Sequence, residues 1–329
     1  MMKHGGNIAE AAARYGFQAS EMIDLSTGIS PWSYPLDMEN ITPQSLRDLP
    51  QAEDEARLIE QMRLCWSVPD SAAIALAPGS GLLINLAARL RAQGTVALPD
   101  PVYSEHDAAW RGEGHDIVIY PAGGLPDSNL VVAVQPGNPM GQCLAPEDWQ
   151  EVLDRVAADG GLLVMDEAFI DLVPTQSLMP CAGQKGLIIL RSLGKFYGLA
   201  GVRLGAAIGH PDDIDRLKSL MGPWAVSTLA LNLATQALAD AAWADDQRNR
   251  LKAQMTTLKE MLITSGLTLI GGTDLYALVD VAGDAAVLQD KLARHGIWTR
   301  VFDHRPNWMR FGLPADNAAF ARLKAALAD

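Results

Sequence analysis

The chain has 329 residues, and 26 lysines and arginines stand against 39 aspartates and glutamates, which gives a formal net charge of −13 at pH 7. Apolar residues make up 49% of the chain, which excludes a disordered protein, and the length predicts about two domains. The acidic balance argues against a general binder of nucleic acid or of acidic membranes, because such partners require a basic surface.

Three features indicate the compartment. Cys65, Cys143 and Cys181 are odd in number and have no CxxC spacing, which argues against a disulfide framework or a structural metal site and for a reducing environment. Residues 1–16 contain no apolar core, so we expect no signal peptide. The uncharged run at residues 219–239 is interrupted by polar residues, Gly and Pro, which predicts a buried or interface helix and no membrane span. The sequence therefore predicts a soluble, cytoplasmic protein.

Short apolar runs alternate with helical patterns through the middle of the chain, which predicts a mostly parallel α/β sheet. The predicted strands are residues 73–77, 95–98, 116–120, 130–134, 162–166, 187–191 and 204–208. Amphipathic stretches at residues 82–91 and 146–158 predict helices between them. Ligands of such sheets bind beyond the carboxyl ends of the strands. The segments expected to carry the chemistry are therefore residues 77–80, 99–103, 135–138, 166–169 and 191–195.

Beyond residue 208 the pattern changes. Long helices are predicted at residues 211–221 and 227–265, followed by a smaller α/β segment. Its predicted strands are near residues 267–270, 275–279, 297–300 and 308–312. The predicted organisation is an N-terminal arm that packs with the small domain, a large domain and a small C-terminal domain, at residues 1–40, 41–225 and 226–329.

The most informative segment is residues 192–205, which read Ser-Leu-Gly-Lys-Phe-Tyr-Gly-Leu-Ala-Gly-Val-Arg-Leu-Gly. Lys195 comes directly after a predicted buried strand, among glycines and close to Ser192 and Arg203. A single lysine is more often a solvated loop residue. This mixture, however, suits the binding of a phosphate that the backbone approaches closely. A P-loop is excluded, because the upstream glycine of that motif is missing.

Three further segments follow predicted strands. Asp166 ends one strand, where a carboxylate serves as a helix cap or ion-pair partner, or keeps a pyridine nitrogen protonated. Asn138 lies in Pro-Gly-Asn-Pro, which a simple turn would also explain. Ser80 and Gly81 open a predicted helix, and a helix N-terminus binds phosphate through its free N–H groups and positive dipole end.

Together, in this order, the four segments resemble the cofactor site of the fold-type I pyridoxal-phosphate enzymes, the aspartate aminotransferase superfamily, over essentially the whole chain. The resemblance implies pyridoxal 5'-phosphate as cofactor and Lys195 as its Schiff-base lysine and as a general acid/base. Asp166 would pair with the ring nitrogen, Asn138 would bond the phenolic oxygen, and Tyr103 would stack on the ring. The implied ligands of the cofactor phosphate are Ser80, Gly81, Ser192 and Arg203.

The sequence departs from the family pattern at three places. Relatives often read Asn-x-Asn-Pro where this chain has Gly-Ile-Ser-Pro at residues 28–31. Many relatives carry a tyrosine three residues after the aspartate, and here that position is Phe169. Many also carry a tyrosine before the proline of a loop that crosses to the partner subunit, and here Leu49 precedes Pro50. The resemblance therefore leaves open which group replaces the cross-subunit tyrosine.

Two arginines near the C-terminus concern the substrate. Arg310, in Trp-Met-Arg-Phe-Gly, resembles the arginine that binds the substrate carboxylate in aminotransferases. Arg300, in Gly-Ile-Trp-Thr-Arg, resembles a second arginine of histidinol-phosphate aminotransferases and their decarboxylase relatives. Surface arginines of a small domain are the alternative. Two arginines on adjacent strand ends suit a substrate with two anionic groups.

The N-terminal segment favours one subgroup. His4-Gly-Gly-Asn7, followed by Asp-Leu-Ser-Thr-Gly28, resembles the threonine-phosphate decarboxylases of cobalamin biosynthesis. The runs Asp-Glu-Ala-Phe and Leu-Arg-Ser-Leu-Gly-Lys-Phe-Tyr are also similar to that group. On this resemblance Phe169 is a trait of the subgroup, and the residues implied in substrate binding are His4, Asn7, Gly28, Arg300 and Arg310.

The resemblance thus implies the decarboxylation of L-threonine O-3-phosphate to (R)-1-amino-2-propanol O-2-phosphate. A histidinol-phosphate aminotransferase or a related class I/II aminotransferase is the alternative within the same fold, and a non-catalytic aminotransferase-like regulator or scaffold is the alternative from another class. The expected partners are a phosphorylated amino acid and a second copy of the chain in a homodimer, and we expect no nucleic acid, membrane or metal.

Overall fold

The structure, a computed structural model, describes residues 5–37 and 43–329. This part of the chain contains ten α-helices and thirteen β-strands. The helices are α1 (Ile8–Tyr15), α2 (Ala52–Trp66), α3 (Ser80–Ala87), α4 (Ser104–Gly112), α5 (Gln150–Ala158), α6 (Pro211–Met221), α7 (Thr228–Ala239), α8 (Ala241–Thr264), α9 (Ala285–Arg294) and α10 (Asn317–Ala328). The strands are β1 (Ile23–Asp24), β2 (Ala73–Ala77), β3 (Thr95–Asp100), β4 (Asp116–Pro121), β5 (Leu130–Val134), β6 (Leu162–Asp166), β7 (Leu187–Ser192), β8 (Gly205–Gly209), β9 (Thr268–Thr273), β10 (Tyr276–Asp280), β11 (Ile297–Trp298), β12 (Arg300–Phe302) and β13 (Arg305–Gly312).

The chain divides into two compact units. The larger unit is Ser33–Ala244, and the smaller unit joins the described residues up to Trp32 with Asp245–Asp329. This division differs from the predicted domains at residues 33–40 and 226–244. Helix α7 packs against α2, which accounts for its place in the larger unit.

Seven strands form the central sheet of the larger unit, in the order β2-β8-β7-β6-β5-β3-β4. All neighbouring pairs are parallel except those of β8, which runs antiparallel to both β2 and β7. Strands β6 and β7 are buried along their whole length, as their near-continuous apolar sequence requires. The predicted fold class, an α/β protein with a mostly parallel central sheet, is confirmed.

The predicted helix at residues 227–265 is two helices, and Asp240 separates them. Its backbone (φ −98°, ψ 79°) is not helical, and its carboxylate accepts a hydrogen bond from the Trp243 N–H at 2.9 Å, which caps α8. Ser227 caps α7 in the same way, accepting from the Ala230 N–H at 3.2 Å. Such a cap contributes about 1 kcal/mol to helix stability. Because each cap involves one specific residue, Ser227 and Asp240 mark the first turns of α7 and α8 more precisely than the apolar pattern does.

The smaller unit contains a four-stranded antiparallel sheet, in the order β12-β13-β10-β9, and a short parallel pair, β1 and β11. The strand predicted at residues 297–300 is therefore split between β11 and β12, which belong to different sheets. Arg300 of β12 lies directly opposite Arg310 of β13. None of the helices in the described residues combines the length and the apolar character that crossing a membrane requires.

Candidate active site

The carboxyl ends of β5, β6 and β7 meet at one edge of the central sheet. Asp166 at the end of β6 is paired with Val134 of β5 and with Leu190 of β7. The loop that carries Asn138, the end of β6 and the turn that carries Lys195 therefore leave the sheet at neighbouring positions. The topology brings these three predicted site segments to one edge.

Lys195 lies in a tight turn directly after β7. Its carbonyl accepts a hydrogen bond from the Gly198 N–H at 3.2 Å, and the Gly194 N–H donates to Ser192 Oγ at 3.3 Å. The half-buried Lys195 amine is 5.9 Å from the ring centroid of Phe169, which is 4% exposed. Because Phe169 has no hydroxyl group, it contributes an apolar wall beside the amine.

Asp166 is a buried carboxylate, 5% exposed, that is held from two directions. Its Oδ1 accepts from the Ala168 N–H at 3.0 Å, and its Oδ2 is 3.0 Å from Nε2 of the fully buried His106. A carboxylate only accepts hydrogen bonds, so His106 donates from Nε2 whenever Asp166 is ionised. Within the described residues, His106 Nδ1 has no hydrogen-bond partner.

The sequence interpretation did not include His106. The residue lies in the first turn of α4, three residues after Tyr103, and the two rings meet edge to face with centroids 6.4 Å apart. Tyr103 itself is 36% exposed at the residue before the helix. The sequence feature that could have pointed to His106 is its position in the helix that directly follows β3, one of the predicted strands.

The backbone at the start of α3 packs closely against Arg203. Gly79 precedes α3 with φ +92°, and a side chain there would collide with the Arg203 guanidinium. A side chain at Gly205 would collide with the backbone of Ser80. Two glycines thus let the guanidinium and the N-terminus of α3, which includes Gly81, come together, and this pairing is suited to a phosphate.

The smaller unit holds the two predicted substrate arginines as a cross-strand pair. Arg300 and Arg310 are directly opposite on antiparallel strands, so both side chains leave the same face of the sheet. Arg310 is 9% exposed, its Nη2 donates to the Ser26 carbonyl at 2.9 Å, and its guanidinium lies 4.8 Å from the Tyr276 ring centroid. Like charges at opposite positions destabilise a sheet, and an anionic ligand would relieve that repulsion.

The remaining predicted substrate residues belong to the N-terminal part of the smaller unit. Gly28 is buried in the turn after β1, close in sequence to Ser26. Ser26 Oγ accepts from the Gly6 N–H at 2.8 Å, which fixes the chain next to Asn7, an exposed residue that contacts Glu10. The predicted role of His4 lies outside the described residues.

In the part of the chain that the structure describes, no group of three or more His, Cys, Asp or Glu side chains is arranged to hold a metal ion. The polar groups gathered at the sheet edge are one amine, one carboxylate with its histidine, and the cationic surface beside α3. Such a set fits an organic phosphate-bearing ligand.

Comparison with known proteins agrees with this geometry. The sequence model described as aminotransferase class I and II matches residues 55–323. The chain belongs to the class I and II aminotransferase family. It is 39% identical to a threonine-phosphate decarboxylase of Pseudomonas aeruginosa over 99% of this chain and 97% of the relative, and 38% identical to one of Sinorhizobium sp over 99% and 97%.

The structure of a histidinol-phosphate aminotransferase from Sinorhizobium meliloti, in complex with pyridoxal-5'-phosphate, superposes with a TM-score of 0.82. The match covers 96% of this chain and 92% of the other at 20% identity, so it shows a shared fold. The family predicted from the sequence motifs is confirmed.

This member of the class I and II aminotransferase family also contains a buried charge cluster that the sequence interpretation missed. Glu167, fully buried, accepts from Ser177 Oγ and from the Leu178 N–H, both at 2.7 Å, and lies 3.4 Å from Arg191. Arg191 also pairs with Asp171. Burial raises the pKa of Glu167 above its ordinary value of 4.5, and the Arg191 charge opposes that rise. The cluster fixes the segment after Asp166 to the end of β7.

Replacing Arg191 with methionine is expected to reduce the free energy of unfolding by about 3 to 5 kcal/mol, because two buried carboxylates lose their cation. The pKa of Glu167 then rises further, so the folded state takes up a proton more readily than the unfolded state. Stability of the variant should therefore fall as the pH rises, and the difference from the wild type should widen between pH 5 and pH 8.

Urea unfolding at the two pH values measures this difference. Arg89→Met is the matched control, since the Arg89–Glu113 pair (2.7 Å) lies at the surface with half of the arginine side chain exposed. It should change stability by less than about 1 kcal/mol. Equal losses in the two variants, or a loss that is independent of pH, would contradict the buried-cluster interpretation.

Proposed function

We propose that the protein is a pyridoxal-phosphate-dependent threonine-phosphate decarboxylase, which converts L-threonine O-3-phosphate to (R)-1-amino-2-propanol O-2-phosphate and CO2. The observation that carries the proposal is the identity of 38–39% to two proteins named threonine-phosphate decarboxylase, along 99% of the chain. The paired arginines of the smaller unit support it, because this substrate has a phosphate and a carboxylate.

The residues at the sheet edge fit the cofactor. Gly79 and Gly205 let the Arg203 guanidinium and the N-terminus of α3 form one surface, because side chains there would collide with Arg203 or with Ser80. Gly205 pairs with Ser192 at the end of β7 and with Ala77 at the end of β2, and Ser80 opens α3 three residues after Ala77. We infer that this surface holds the cofactor phosphate.

Three residues would contact the cofactor ring, and a fourth would support one of them. Asp166 would hold a proton on the ring nitrogen, and His106, hydrogen-bonded to Asp166 at 3.0 Å, would orient that carboxylate. Asn138 and Tyr103 would contact the phenolic oxygen and the ring face. When bound, the cofactor supplies an electron sink for the negative charge that decarboxylation leaves at Cα.

Lys195 would move the proton. Its amine would hold the cofactor through the aldehyde group and, when the substrate amine takes that place, would supply the proton that Cα receives in exchange for CO2. The apolar ring of Phe169, 5.9 Å from the amine, limits the access of water on that side. Proton delivery to Cα completes decarboxylation, whereas removal of the α-proton would begin transamination.

The substrate anions would be held in the smaller unit. Arg310, held by the Ser26 carbonyl and the Tyr276 ring, would supply one positive charge, and Arg300 would supply the second. Asn7, His4 and Gly28 would complete the anion site. Anchoring the phosphate decides which bond of Cα is presented for cleavage, and this selects between decarboxylation and transamination.

We also infer that the enzyme works as a cytoplasmic homodimer. Leu49 and Trp224, large apolar side chains of the larger unit, are 56% and 61% exposed, which supports a surface covered by a second copy. Sedimentation equilibrium of the purified protein would measure the mass, and a single species of 35.3 kDa would contradict the dimer.

The decisive experiment is CO2 release. The purified protein, reconstituted with pyridoxal 5'-phosphate and given L-threonine O-3-phosphate without any 2-oxo acid, should release CO2 and form the amino alcohol phosphate. Omission of the cofactor is the control. Absence of CO2, together with transamination of histidinol phosphate to 2-oxoglutarate, would overturn the proposal in favour of the aminotransferase, the activity named for the Sinorhizobium meliloti structure.

A further inference from the structure

The turn that carries Lys195 is held from outside its own strand by aromatic side chains. Phe196 and Tyr197, the two residues after the lysine, are 0% and 2% exposed, and their rings are perpendicular with centroids 5.1 Å apart. The Trp243 ring stacks on Tyr197 at 5.6 Å and 14°, and it meets Phe196 edge to face at 5.9 Å. One tryptophan therefore contacts both residues that follow the lysine.

A second segment holds the same turn through its backbone. The Tyr34 N–H donates to the Tyr197 carbonyl at 2.9 Å, and the Tyr34 ring meets Trp243 edge to face at 5.1 Å. The Tyr34 hydroxyl in turn lies 3.5 Å from the carboxylate of Asp240, which caps the helix of Trp243. Tyr34, Trp243, Phe196 and Tyr197 thus form one connected group, which we call the aromatic clamp.

The clamp reaches the lysine from parts of the sequence that are far from it. Tyr34 precedes Lys195 by more than 150 residues and Trp243 follows it by more than 40. Each also lies within two residues of an end of the larger unit, Ser33–Ala244. The turn is therefore held from outside the central sheet by the rings of Tyr34 and Trp243 and by the backbone hydrogen bond from Tyr34.

We propose that Trp243 is a positioning residue for Lys195: its ring fixes Tyr197, and with it the turn that aims the amine. This inference rests on the proposed function, since it assigns a task to the amine. A displaced turn would move the amine, and a misplacement of about 1 Å at a reacting group costs about 10²-fold in rate. The ring itself touches neither substrate nor cofactor in this assignment.

The pH behaviour of the bound cofactor reports on this positioning. Burial raises the pKa of Tyr197 above its ordinary value of 10.0, with the Cys65 thiol, 3.9 Å from its hydroxyl, and Asp171 raising it further and Arg191 opposing them. Its hydroxyl therefore stays protonated throughout the working pH range. A shift in the midpoint of the cofactor band in a Trp243 variant therefore does not come from ionisation of Tyr197, and we expect it to come from a change in the surroundings of Lys195.

The test compares Trp243→Leu, Trp243→Phe and Trp149→Leu in the full-length holoenzyme. Trp149 is 3% exposed in the same unit, so its loss measures the general effect of removing a buried indole. We expect Trp243→Leu to shift the pH midpoint of the visible band and to lower kcat about 10²-fold with KM nearly unchanged. Trp243→Phe, which keeps a ring against Tyr34, should fold and show a smaller shift in the same direction. Trp149→Leu should lower the melting temperature without moving the midpoint.

The inference is overturned if the Trp243 variants lose melting temperature as Trp149→Leu does while the midpoint and kcat stay at wild-type values. If Trp243→Leu does not fold, Trp243→Phe decides by the same two measurements. A wild-type protein that shows no visible band after incubation with pyridoxal 5'-phosphate would instead overturn the proposed function and this inference with it. If the wild type and Trp149→Leu show the same band and the Trp243 variants show a shifted one, the result supports both the proposed function and the positioning role of Trp243.

Discussion

Replacing Lys195 with alanine should remove the visible absorption band of the reconstituted protein and lower kcat for CO2 release from threonine phosphate by about 10⁴-fold or more. On the proposed function the variant loses two roles with one side chain, because the amine would both bind the cofactor covalently and deliver a proton to Cα. The turn itself should persist, since its hydrogen bonds run from Gly194 and Gly198 and do not involve the amine.

Absorbance after incubation with pyridoxal 5'-phosphate measures the first function, and a CO2 assay measures the second. Lys185→Ala, at an exposed lysine of the same unit, is the matched control and should behave as the wild type. Borohydride reduction followed by peptide mass analysis should place the trapped cofactor on Lys195. Its recovery on Lys185, or wild-type activity in Lys195→Ala, would contradict the assigned role.

The sequence was sufficient to place Lys195 and Asp166 because parallel sheets direct their ligands to one edge. Both residues follow strands whose apolar runs are long and unbroken, and the structure puts those strands side by side as β6 and β7. Burial on both faces leaves little freedom in the sequence of such strands. All the predicted strands of the central sheet lie within about two residues of the observed ones, although the edge strand β4 is largely exposed.

What the sequence missed depends on contacts between distant residues. His106 is 60 residues from Asp166, and its place in the helix after a predicted strand does not by itself reveal that pairing. Arg191 ends an apolar run and reads as the polar boundary of a strand, yet it is 3% exposed because Glu167 and Asp171 compensate its charge. Pairings of this kind have no periodicity for a sequence pattern to show.

A net charge of −13 does not prevent this protein from having local clusters of positive charge. Arg203 lies beside the N-terminus of α3 in the larger unit, and Arg300 and Arg310 are paired in the smaller unit. Three of the 26 basic residues are thus placed where anionic groups are expected. The average charge describes the surface, and it does not limit what a local cluster binds.

Replacing Asp166 with alanine should lower kcat for CO2 release by about 10³-fold while the cofactor still binds to Lys195. The carboxylate is the buried negative charge expected to hold the proton on the ring nitrogen, so its loss weakens stabilisation of the charge that develops during decarboxylation. His106→Ala should cost less, because Asp166 keeps its second hydrogen bond, from the Ala168 N–H.

A double-mutant cycle separates the roles of the two residues. If His106 acts through Asp166, then the double variant should be no slower than Asp166→Ala alone, since the histidine has no carboxylate left to orient. Asp213→Asn is the matched control, because Asp213 is also buried, at 9% exposed, and pairs with Arg91 at 2.6 Å. Neither residue belongs to the candidate site, so this variant should be less stable than the wild type and keep its kcat. If instead the two single losses in kcat multiply in the double variant, His106 contributes to the reaction independently of Asp166. That result would contradict the proposal that His106 acts by orienting the Asp166 carboxylate.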